Sequence, residues 1–225
     1  MAGIILNDIS LRYSRQWTLL QVSAELAEAK ATLITGDNGA GKTTLLRIIA
    51  TALRPTRGAV EIFGRDAFEE REFVRSQLGM ISHNSHLYYD LSAIENLELV
   101  SEFSGLGSTR ADHLAALDRV GLGDAANQVV RSYSAGMKRR IMIARLLMRK
   151  PRLVIFDEPF GQLDPGGVQL MTEVFLGLKN AGCTILLATH LHQLGRSLCD
   201  YEMSLKDGRL LDAPALISSH QGEGL

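Results

Sequence analysis

Apolar positions along this chain recur with two spacings, which predict two kinds of element. Residues 4–11 alternate apolar and polar side chains like a half-buried strand, and residues 18–26 resemble its neighbour. Further strands are predicted at 31–35, 59–63, 78–82, 153–156 and 184–188. Helical stretches lie between them, at 45–50, 68–77 and 165–181. This alternation predicts an α/β fold with a mostly parallel sheet, and the short turn between the first two strands predicts an antiparallel edge.

The middle of the chain carries helical signals only. Ser92 and Glu95 form a capping-box pattern at the start of one helix. Thr109 with Asp112 caps a second helix, and Ser134 precedes a third. Three consecutive helices inside an α/β pattern predict an inserted helical subdomain. The expected division of a single domain, 1–225, is an α/β core at 1–83 and 151–225 and a helical subdomain at 84–150.

The end of the chain predicts a closing hairpin and a tail. Residues 201–206 and 209–211 have strand character and are joined by Asp207 and Gly208, a sequence typical of a tight hairpin turn. The last dozen residues carry little pattern, and we expect them to fray.

Composition narrows the class of protein. The 225 residues are 46% hydrophobic, which is ample for a buried sheet, and the net charge of −1 argues against a general polyanion binder. No apolar run approaches the ~18 residues that cross a bilayer, and the N-terminus lacks a signal-peptide pattern. We therefore expect a soluble, cytoplasmic protein. Its cysteines, Cys183 and Cys199, indicate neither a disulfide framework nor a zinc site, so we expect reduced packing residues.

The strongest chemical signal is the segment between the strand 31–35 and the helix 45–50. Its residues are Gly36, Asp37, Asn38, Gly39, Ala40, Gly41, Lys42, Thr43 and Thr44. Glycines let successive N–H groups turn toward a phosphate, and the following helix favours the same negative charge. Lys42 adds a charge that can reach the β- and γ-phosphates, and the Thr43 hydroxyl can ligate Mg²⁺. Strand, glycine-rich loop and helix together predict a nucleotide-binding site.

Three more residues are expected to meet opposite this loop. Asp157 and Glu158 end the apolar run 153–156, where adjacent carboxylates are costly unless a cation compensates them. Bound Mg²⁺ would do so, with Asp157 acting through its water shell and Glu158 directed at the water that attacks the γ-phosphate. The alternative is a solvated strand end. His190 follows the strand 184–188 and should face the same phosphate, because ligand-facing groups gather at the carboxyl ends of parallel strands.

Two aromatic residues and one basic segment leave alternatives open. Tyr13 is the candidate for stacking on a nucleotide base and Trp17 the candidate for packing on the sheet.

No acidic residue lies between Asp124 and Asp157, and the basic residues in that gap are Arg131, Lys138, Arg139, Arg140, Arg145, Arg149, Lys150 and Arg152. This segment fits a nucleic-acid patch, a solvated basic helix face, or a second phosphate site made by a serine hydroxyl and a glycine N–H at a helix N-terminus.

In order and spacing, these motifs resemble the nucleotide-binding subunit of ATP-binding-cassette transporters, over essentially the whole chain. Residues 36–43 match the family's phosphate loop, residues 153–158 match its Mg²⁺ and catalysis strand, and His190 matches its switch histidine. Residues 161–164 resemble the loop through which two subunits communicate. Residues 133–137 occupy the place of the signature, usually Leu-Ser-Gly-Gly-Gln. The resemblance implies a P-loop NTPase core that uses ATP and Mg²⁺.

The resemblance also implies partners. Two copies would face each other head to tail, with each ATP between one copy's phosphate loop and the other's Ser134, Ala135 and Gly136. Binding would close this dimer, hydrolysis would reopen it, and transmembrane permease subunits would convert the motion into transport. The chain would then lie at the inner face of the cell membrane, and no nucleic-acid partner is expected.

Three positions depart from the family pattern. Ala135 replaces a glycine, Met137 replaces a glutamine, and His83 stands where a glutamine normally offers oxygen to Mg²⁺. An imidazole suits that cation poorly, so His83 is expected to act through a water, as a third catalytic group beside Glu158 and His190. His83, followed by 87–89 and 95–97, is similar to haem exporters of cytochrome c maturation. The alternatives are a soluble mechanical or DNA-associated ATPase of this superfamily, an exporter for another cargo, and a module that binds ATP without turnover, against which the intact Asp157, Glu158 and His190 argue.

Residues 84–90 are a candidate docking groove for a cytoplasmic helix of the membrane subunit. They contain Leu87, Tyr88 and Tyr89, and apolar and aromatic groups favour interface cores. The alternative is that these side chains belong to the local core.

Overall fold

The computed structural model describes residues 1–82, 87–161 and 163–217. In this part of the chain the strands are β1 (Ala2–Tyr13), β2 (Gln16–Ala27), β3 (Ala31–Thr35), β4 (Arg57–Ile62), β5 (Arg65–Asp66), β6 (Leu78–Ile81), β7 (Leu153–Asp157), β8 (Thr184–Ala188), β9 (Tyr201–Lys206), β10 (Arg209–Leu210) and β11 (Ala215–Leu216). The helices are α1 (Lys42–Ile49), α2 (Arg71–Ser76), α3 (Ala93–Phe103), α4 (Arg110–Arg119), α5 (Ala135–Arg149), α6 (Pro165–Asn180) and α7 (His192–Leu198), and a 3₁₀ turn spans Val130–Ser132.

The strands form two sheets. The larger has the order β10-β9-β3-β8-β7-β6, with β11 also pairing with β9. Its neighbours from β9 to β6 run parallel, and β10 and β11 are antiparallel to β9. The smaller sheet is antiparallel, in the order β2-β1-β4-β5. The predicted α/β class with a mostly parallel sheet is therefore confirmed.

Each face of the parallel sheet packs in its own hydrophobic core. Every residue of β3, β7 and β8 is buried, as expected of strands covered on both sides. Because successive side chains of a strand point to opposite faces, Phe156 and Leu187 join a core with α5 and α6, and Ile155 and Leu186 join a core with α1 and the antiparallel sheet. The phosphate-loop helix α1 is thus held between the two sheets.

The N-terminal strands are antiparallel, as predicted, and the structure shows where they lie. They form the separate small sheet with β4, whose pairing with β1 joins Ile4 to Ile62 and Leu6 to Val60. The apolar pattern of residues 59–63 predicted a strand without revealing its partner. This pairing stacks the small sheet over α1 and is the main feature of the fold that sequence patterns did not show.

Two strands were not predicted. The two-residue strands β5 and β11 are too short to give a periodic signal. β11 corrects the expectation that the last dozen residues fray, because Ala215 and Leu216 pair with Glu202 and Tyr201. Residues 218–225 lie outside the described part of the chain.

The helices of the middle segment begin at the predicted caps. The Ser92 N–H donates to the Glu95 carboxylate at 2.7 Å, and the Thr109 N–H donates to Asp112 at 2.8 Å, completing two capping boxes. Ser134 accepts from the Met137 N–H at 3.2 Å and caps α5. Helix α5 also packs on β6 (Leu78–Ile81) of the parallel sheet, so the helical segment is anchored to the core through this helix.

Both cysteines are buried, free packing residues, as predicted. Burial raises the pKa of the Cys183 thiol and raises that of Cys199 to about 12. Both thiols are therefore protonated at neutral pH. No helix within residues 1–82, 87–161 and 163–217 is long and apolar enough to span a membrane.

The junction of the two sheets generates a stability prediction. Gly208 and Gly64 occupy matching hairpin turns, each with φ 75° and each preceded by a residue with positive φ. A Cβ at Gly208 would overlap the Thr18 carbonyl of β2, whereas no atom of the described residues lies within 4 Å of a Cβ at Gly64. We expect Gly64→Ala to cost about 1–2 kcal/mol of unfolding free energy for the left-handed backbone alone. Gly208→Ala should cost ~1–3 kcal/mol more, because the sheets must separate.

Urea unfolding of the two variants and the wild type measures this difference. Equal losses in Gly64→Ala and Gly208→Ala would show that the close approach of Thr18 to the turn does not hold the sheets together.

Candidate nucleotide-binding site

The predicted phosphate loop needs its glycines for steric reasons. Gly36 and Gly41 have φ values of 141° and 101°. A Cβ at Gly36 would overlap the Leu205 carbonyl of β9, and one at Gly41 would lie 2.7 Å from Leu19 Cδ2 of β2. Gly39, with φ 85°, has no neighbour within 4 Å of such a Cβ. The loop is therefore shaped by both sheets at once.

The loop presents its positive groups to an open mouth. Asp37, Asn38 and Gly39 are exposed. Lys42 Nζ lies 2.6 Å from the Gly36 carbonyl oxygen and 3.0 Å from that of Asp37, so the ammonium bridges the loop. Among the described residues no side chain caps α1 at Gly41, and the first turn of α1 contains no acidic residue. A phosphate at this mouth would meet the uncapped N–H groups of α1 and the Lys42 charge.

Asp157 and Thr43 meet beside the loop. The Thr43 hydroxyl donates to Asp157 Oδ1 at 3.1 Å. Asp157 is only 6% exposed, and burial raises the pKa of its carboxyl above the usual range, although the Thr43 hydrogen bond lowers it and the Glu158 charge raises it further. A buried carboxyl of this kind is suited to neutralisation by a cation.

The donor set fits Mg²⁺ in one particular way. Among the described residues no group of three or more His, Cys, Asp or Glu side chains is placed to hold a metal. Thr43 and Asp157 are the oxygen donors beside the loop. Mg²⁺ is commonly held by one or two protein oxygens, substrate phosphates and water. This pair therefore fits a magnesium ion that arrives with a nucleotide.

Glu158 and His190 are in direct contact. The pairing of β7 with β8 sets Asp157 opposite Ala188, and the Glu158 N–H donates to the Ala188 carbonyl at 2.9 Å. Glu158 Oε2 lies 2.9 Å from His190 Nδ1 and accepts from the His190 N–H at 3.4 Å. Glu158 itself has φ 52°, an uncommon backbone conformation for a residue other than glycine. Residues 32 positions apart in sequence thus meet at one sheet edge.

The segment in the place of the signature presents an exposed helix N-terminus. Ser134 and Ala135 are exposed, and Gly136 is partly buried. Tyr133 is buried, and its hydroxyl donates to the Ala125 carbonyl at 2.6 Å. Within the described ranges, the hydrogen bonds of Ser134 stay inside α5, and none joins it to the loop 36–44.

The aromatic candidates are arranged differently from one another. The Tyr13 ring is 49% exposed at the end of β1, where it is open to a ligand. Trp17 is 37% exposed, and the Arg12 guanidinium lies 5.5 Å from its ring centroid, so Trp17 packs against an arginine instead of being buried on the sheet. His83 lies outside the described residues, as does Gln162 of the segment 161–164.

Of the docking candidate 84–90, residues 84–86 lie outside the described part of the chain, and residues 87–89 divide into a buried and an exposed part. Leu87 is 7% exposed and belongs to the core, whereas Tyr88 and Tyr89 are 54% and 46% exposed. Asn96 holds this segment in place, accepting from the Tyr88 N–H at 2.8 Å and donating to the Tyr88 carbonyl at 2.9 Å. The local-core alternative is right for Leu87 and wrong for the two tyrosines.

The basic segment is largely engaged with the rest of the chain. Arg140 donates to the Val120 carbonyl, Arg149 donates to the Arg75 carbonyl at 2.8 Å, and Arg152 pairs with Glu28. Arg131 pairs with Asp90. Internal hydrogen bonds and ion pairs therefore explain much of the basic character of this segment.

Arg139 is a residue near the site that sequence reasoning missed. It is buried and donates to the Glu158 carbonyl oxygen at 2.9 Å. The signal was present in the helical spacing, because Arg139 shares the apolar face of α5 with Met142, Ile143 and Leu146. A charged residue on a buried face is unusual and would have marked the position.

Comparison with known proteins identifies the family. The sequence profile of the ABC transporter family matches residues 19–161. The chain is 33% identical to the daunorubicin resistance ATP-binding protein DrrA3 of Streptomyces coeruleorubidus, covering 93% of this chain and 67% of that protein. It is 32% identical to the lantibiotic transport ATP-binding protein SrtF of Streptococcus pyogenes, covering 92% and 88%. The chain belongs to the ABC transporter family.

A solved ABC cassette agrees in structure. The dimeric, post-hydrolysis state of the cassette MJ0796, bound to ADP and phosphate, superimposes with a TM-score of 0.86 at 25% identity, covering 96% of this chain and 99% of that one. The present chain is accordingly the ATP-binding subunit of an ABC transporter, and it is an ATPase. The narrower haem-exporter resemblance receives no support from the names of these relatives.

The buried carboxyl of Asp157 generates a prediction on stability and pH. A raised pKa in the fold means that Asp157 destabilises the ligand-free ABC subunit increasingly as the pH rises from the usual aspartate pKa to the raised one, and fully above it. Below the usual aspartate range, where the group is protonated in both states, this destabilisation is absent. We expect Asp157→Asn to unfold at a higher temperature than the wild type at pH 7 without ligand, and the gain to vanish on acidification.

The same variant should lose most of the stabilisation by Mg²⁺-ATP, which at 100 times Kd is about 2.7 kcal/mol for the wild type. Thermal unfolding with and without Mg²⁺-ATP measures both effects, with Asp212→Asn at an exposed carboxylate as control. A ligand-free Asp157→Asn protein that is less stable than the wild type at pH 7 would contradict the account.

Proposed function

We propose that two copies of this chain close around ATP and thereby drive the membrane subunits of a transporter. The observation that carries the proposal is that each copy presents two incomplete halves of a phosphate site. The phosphate loop has an open mouth, and the exposed N-terminus of α5 carries Ser134, which makes no hydrogen bond to that loop. Head-to-tail pairing would place Ser134, Ala135 and Gly136 of one copy opposite the loop of the other.

In this proposal the loop residues bind the phosphates. The N–H groups of Gly36 to Thr44 and the Lys42 ammonium would neutralise the β- and γ-phosphate oxygens. Thr43 and Asp157 would hold Mg²⁺, which supplies further neutralisation of charge between those phosphates when bound. The exposed Tyr13 ring would stack on the adenine.

Glu158 is the proposed group that orients the attacking water and accepts its proton. His190 holds the Glu158 carboxylate through Nδ1 at 2.9 Å and so fixes its direction. His190 is largely exposed, which leaves it open to a γ-phosphate and to the opposite copy. In the signature, Met137 offers no amide to a phosphate, so the N–H groups of α5 and the Ser134 hydroxyl carry that half of the site.

The membrane subunit is proposed to dock on Tyr88 and Tyr89. Their exposed rings follow the buried Leu87, so a partner helix would find aromatic groups on a segment fixed to the core. The segment 84–150 would move as a helical subdomain relative to the α/β core and transmit closure to the partner. The chain would lie against the inner face of the cell membrane through this contact.

For the cargo, the names of the relatives favour a drug or a peptide antibiotic over haem. The haem interpretation depended on His83 and its neighbours, and His83 lies outside the described residues. Stimulation of ATP turnover in the complex with its permease, compared for daunorubicin, a lantibiotic and haem, distinguishes these cargoes.

The dimer generates the central prediction. Glu158→Gln keeps the loop intact and removes the proton acceptor, so we expect turnover to fall by ~10²–10⁴-fold while ATP binding persists. Closed dimers should then accumulate, and light scattering at saturating Mg²⁺-ATP should report twice the monomer mass. Adding Ser134→Arg should abolish this dimer, whereas Ser132→Arg, three residues before the start of α5, should not. A Glu158→Gln protein that stays monomeric under these conditions would refute the proposed function.

The docking surface generates a second prediction. Tyr88→Glu or Tyr89→Glu should reduce stimulation by the permease at least fivefold, because a charge would enter an interface core. Turnover of the isolated chain should change less than twofold. The matched control is Phe103→Glu, since Phe103 is 79% exposed at the end of α3. Turnover is compared between the reconstituted complex and the isolated chain. An equal loss in both would show that the tyrosines stabilise the chain itself and do not form the docking surface.

A further inference from the structure

Arg139 of α5 connects two segments that enter the nucleotide site. Its Nη1 donates to the Ser82 carbonyl at 2.7 Å, and its Nη2 donates to the Glu158 carbonyl at 2.9 Å. Ser82 follows β6 directly, and Glu158 follows β7. One guanidinium therefore holds the ends of two neighbouring parallel strands from the side of the helical segment.

Burial of the Arg139 guanidinium is expected to lower the stability of the fold, which is unfavourable for a residue with only a structural role. Arg139 is 9% exposed, and within the described ranges it forms no ion pair with an Asp or Glu. Its Nε is buried without a hydrogen-bond partner in the same part of the chain. Burial lowers the pKa of the guanidinium, and two backbone carbonyls are its hydrogen-bond acceptors. A buried charge compensated so incompletely destabilises a fold, and an apolar side chain of similar length would pack there at lower cost.

A contact at the Glu158 carbonyl can affect the backbone conformation of Glu158. Glu158 has φ 52°, and several contacts hold it. Its N–H donates to Ala188, and its carboxylate contacts His190 Nδ1 and accepts from the His190 N–H. Its carbonyl accepts from Arg139 at 2.9 Å and, in a longer bond of 3.4 Å, from the Gly161 N–H. A non-glycine residue keeps a left-handed conformation only where its surroundings fix it. Without Arg139 the peptide that follows Glu158 keeps only the long bond to Gly161, so the backbone that carries the carboxylate toward His190 is held less firmly.

The same helix carries the exposed end that the proposed dimer uses. Ser134 caps α5, and Arg139 lies five residues further along it, which is about 7.5 Å at 1.5 Å per residue. Over that length a helix behaves as one rigid element. A displacement of the Ser134 end is thus transmitted to Glu158 through Arg139.

We propose that Arg139 is a positioning residue that makes the direction of the Glu158 carboxylate depend on the placement of α5. Closure of the dimer on Ser134 then sets Glu158 for hydrolysis, and displacement of α5 releases it. The inference rests on the proposed function, because it needs Glu158 as the group that activates water. Arg139 is buried and donates to two backbone carbonyls of the chain, so its effect is expected on kcat and not on nucleotide binding.

The test compares two arginines of α5 that each donate to a carbonyl of the core. Arg139→Met keeps the side-chain length and removes both donors, and Arg149→Met removes the donor to the Arg75 carbonyl, ten residues further along α5. Arg139→Met should lower kcat ~10–100-fold with the Kd for ATP unchanged within threefold. Arg139→Lys, which can keep one of the two hydrogen bonds, should fall between it and the wild type. Arg149→Met should leave kcat unchanged.

A double-mutant cycle with Glu158→Gln distinguishes positioning of Glu158 from a purely structural role of Arg139. It measures whether the effects of the two substitutions on turnover depend on each other. If Arg139 acts through Glu158, Arg139→Met should have almost no further effect on residual turnover in the Glu158→Gln background. Thermal unfolding should show Arg139→Met no less stable than Arg149→Met, because a buried charge is removed. If Arg139→Met does not fold, the cycle is run with Arg139→Lys.

The outcomes separate the two proposals. A fully additive cycle, a parallel loss of ATP affinity, or an equal loss of kcat in Arg149→Met would overturn the positioning role and leave the proposed function standing. Undiminished turnover in Glu158→Gln alone would overturn the proposed function itself.

Discussion

The parallel pairing of β3, β8 and β7 is the constraint on which the site depends. It brings the phosphate loop after β3, His190 after β8, and Asp157 and Glu158 at the end of β7 to one edge of the sheet. Because each strand is buried on both faces, its register is fixed by packing in two cores. A shift of one residue would exchange the faces of every side chain and separate Glu158 from His190. The chemistry of the site therefore follows from burial of the strands that precede it.

The phosphate loop is held by a second constraint, the close approach of the two sheets. Leu19 of β2 lies against Gly41, the Gly208 turn packs on Thr18, and the Gly208 N–H donates to the Ala40 carbonyl at 3.2 Å. Loop shape and sheet stacking are thus parts of one packing arrangement. The difference expected between Gly208→Ala and Gly64→Ala follows from this arrangement, because the two turns share one backbone conformation and differ in what surrounds them.

Two buried ionisable side chains are expected to oppose the stability of the ligand-free fold. Asp157 lies beside the loop with its pKa raised by burial, and Arg139 lies beneath Glu158 with two carbonyls as acceptors. Each faces a segment that the proposed mechanism uses, one the magnesium position and the other the water-activating carboxylate. At both positions a substitution that stabilises the ligand-free chain is expected to weaken the binding or hydrolysis of ATP.

Local rules in the sequence determined much of the fold and most of the candidate site. The spacing of glycines around Lys42, the capping boxes at Ser92 and Thr109, and the apolar runs of β3 and β8 are each encoded within a few residues. The order of motifs placed Asp157, Glu158 and His190 at strand ends, where the structure has them together. Their roles in catalysis remain predictions.

Only the tertiary structure decided which elements meet. It assigned β1, β2 and β4 to a separate sheet, gave β11 a partner in β9, left Tyr88 and Tyr89 exposed, and turned Arg139 inward under Glu158. These features depend on how sheets stack and how α5 is rotated against the core. Such arrangements are fixed by contacts between residues far apart in the chain, and a local pattern of apolar and polar positions does not contain them.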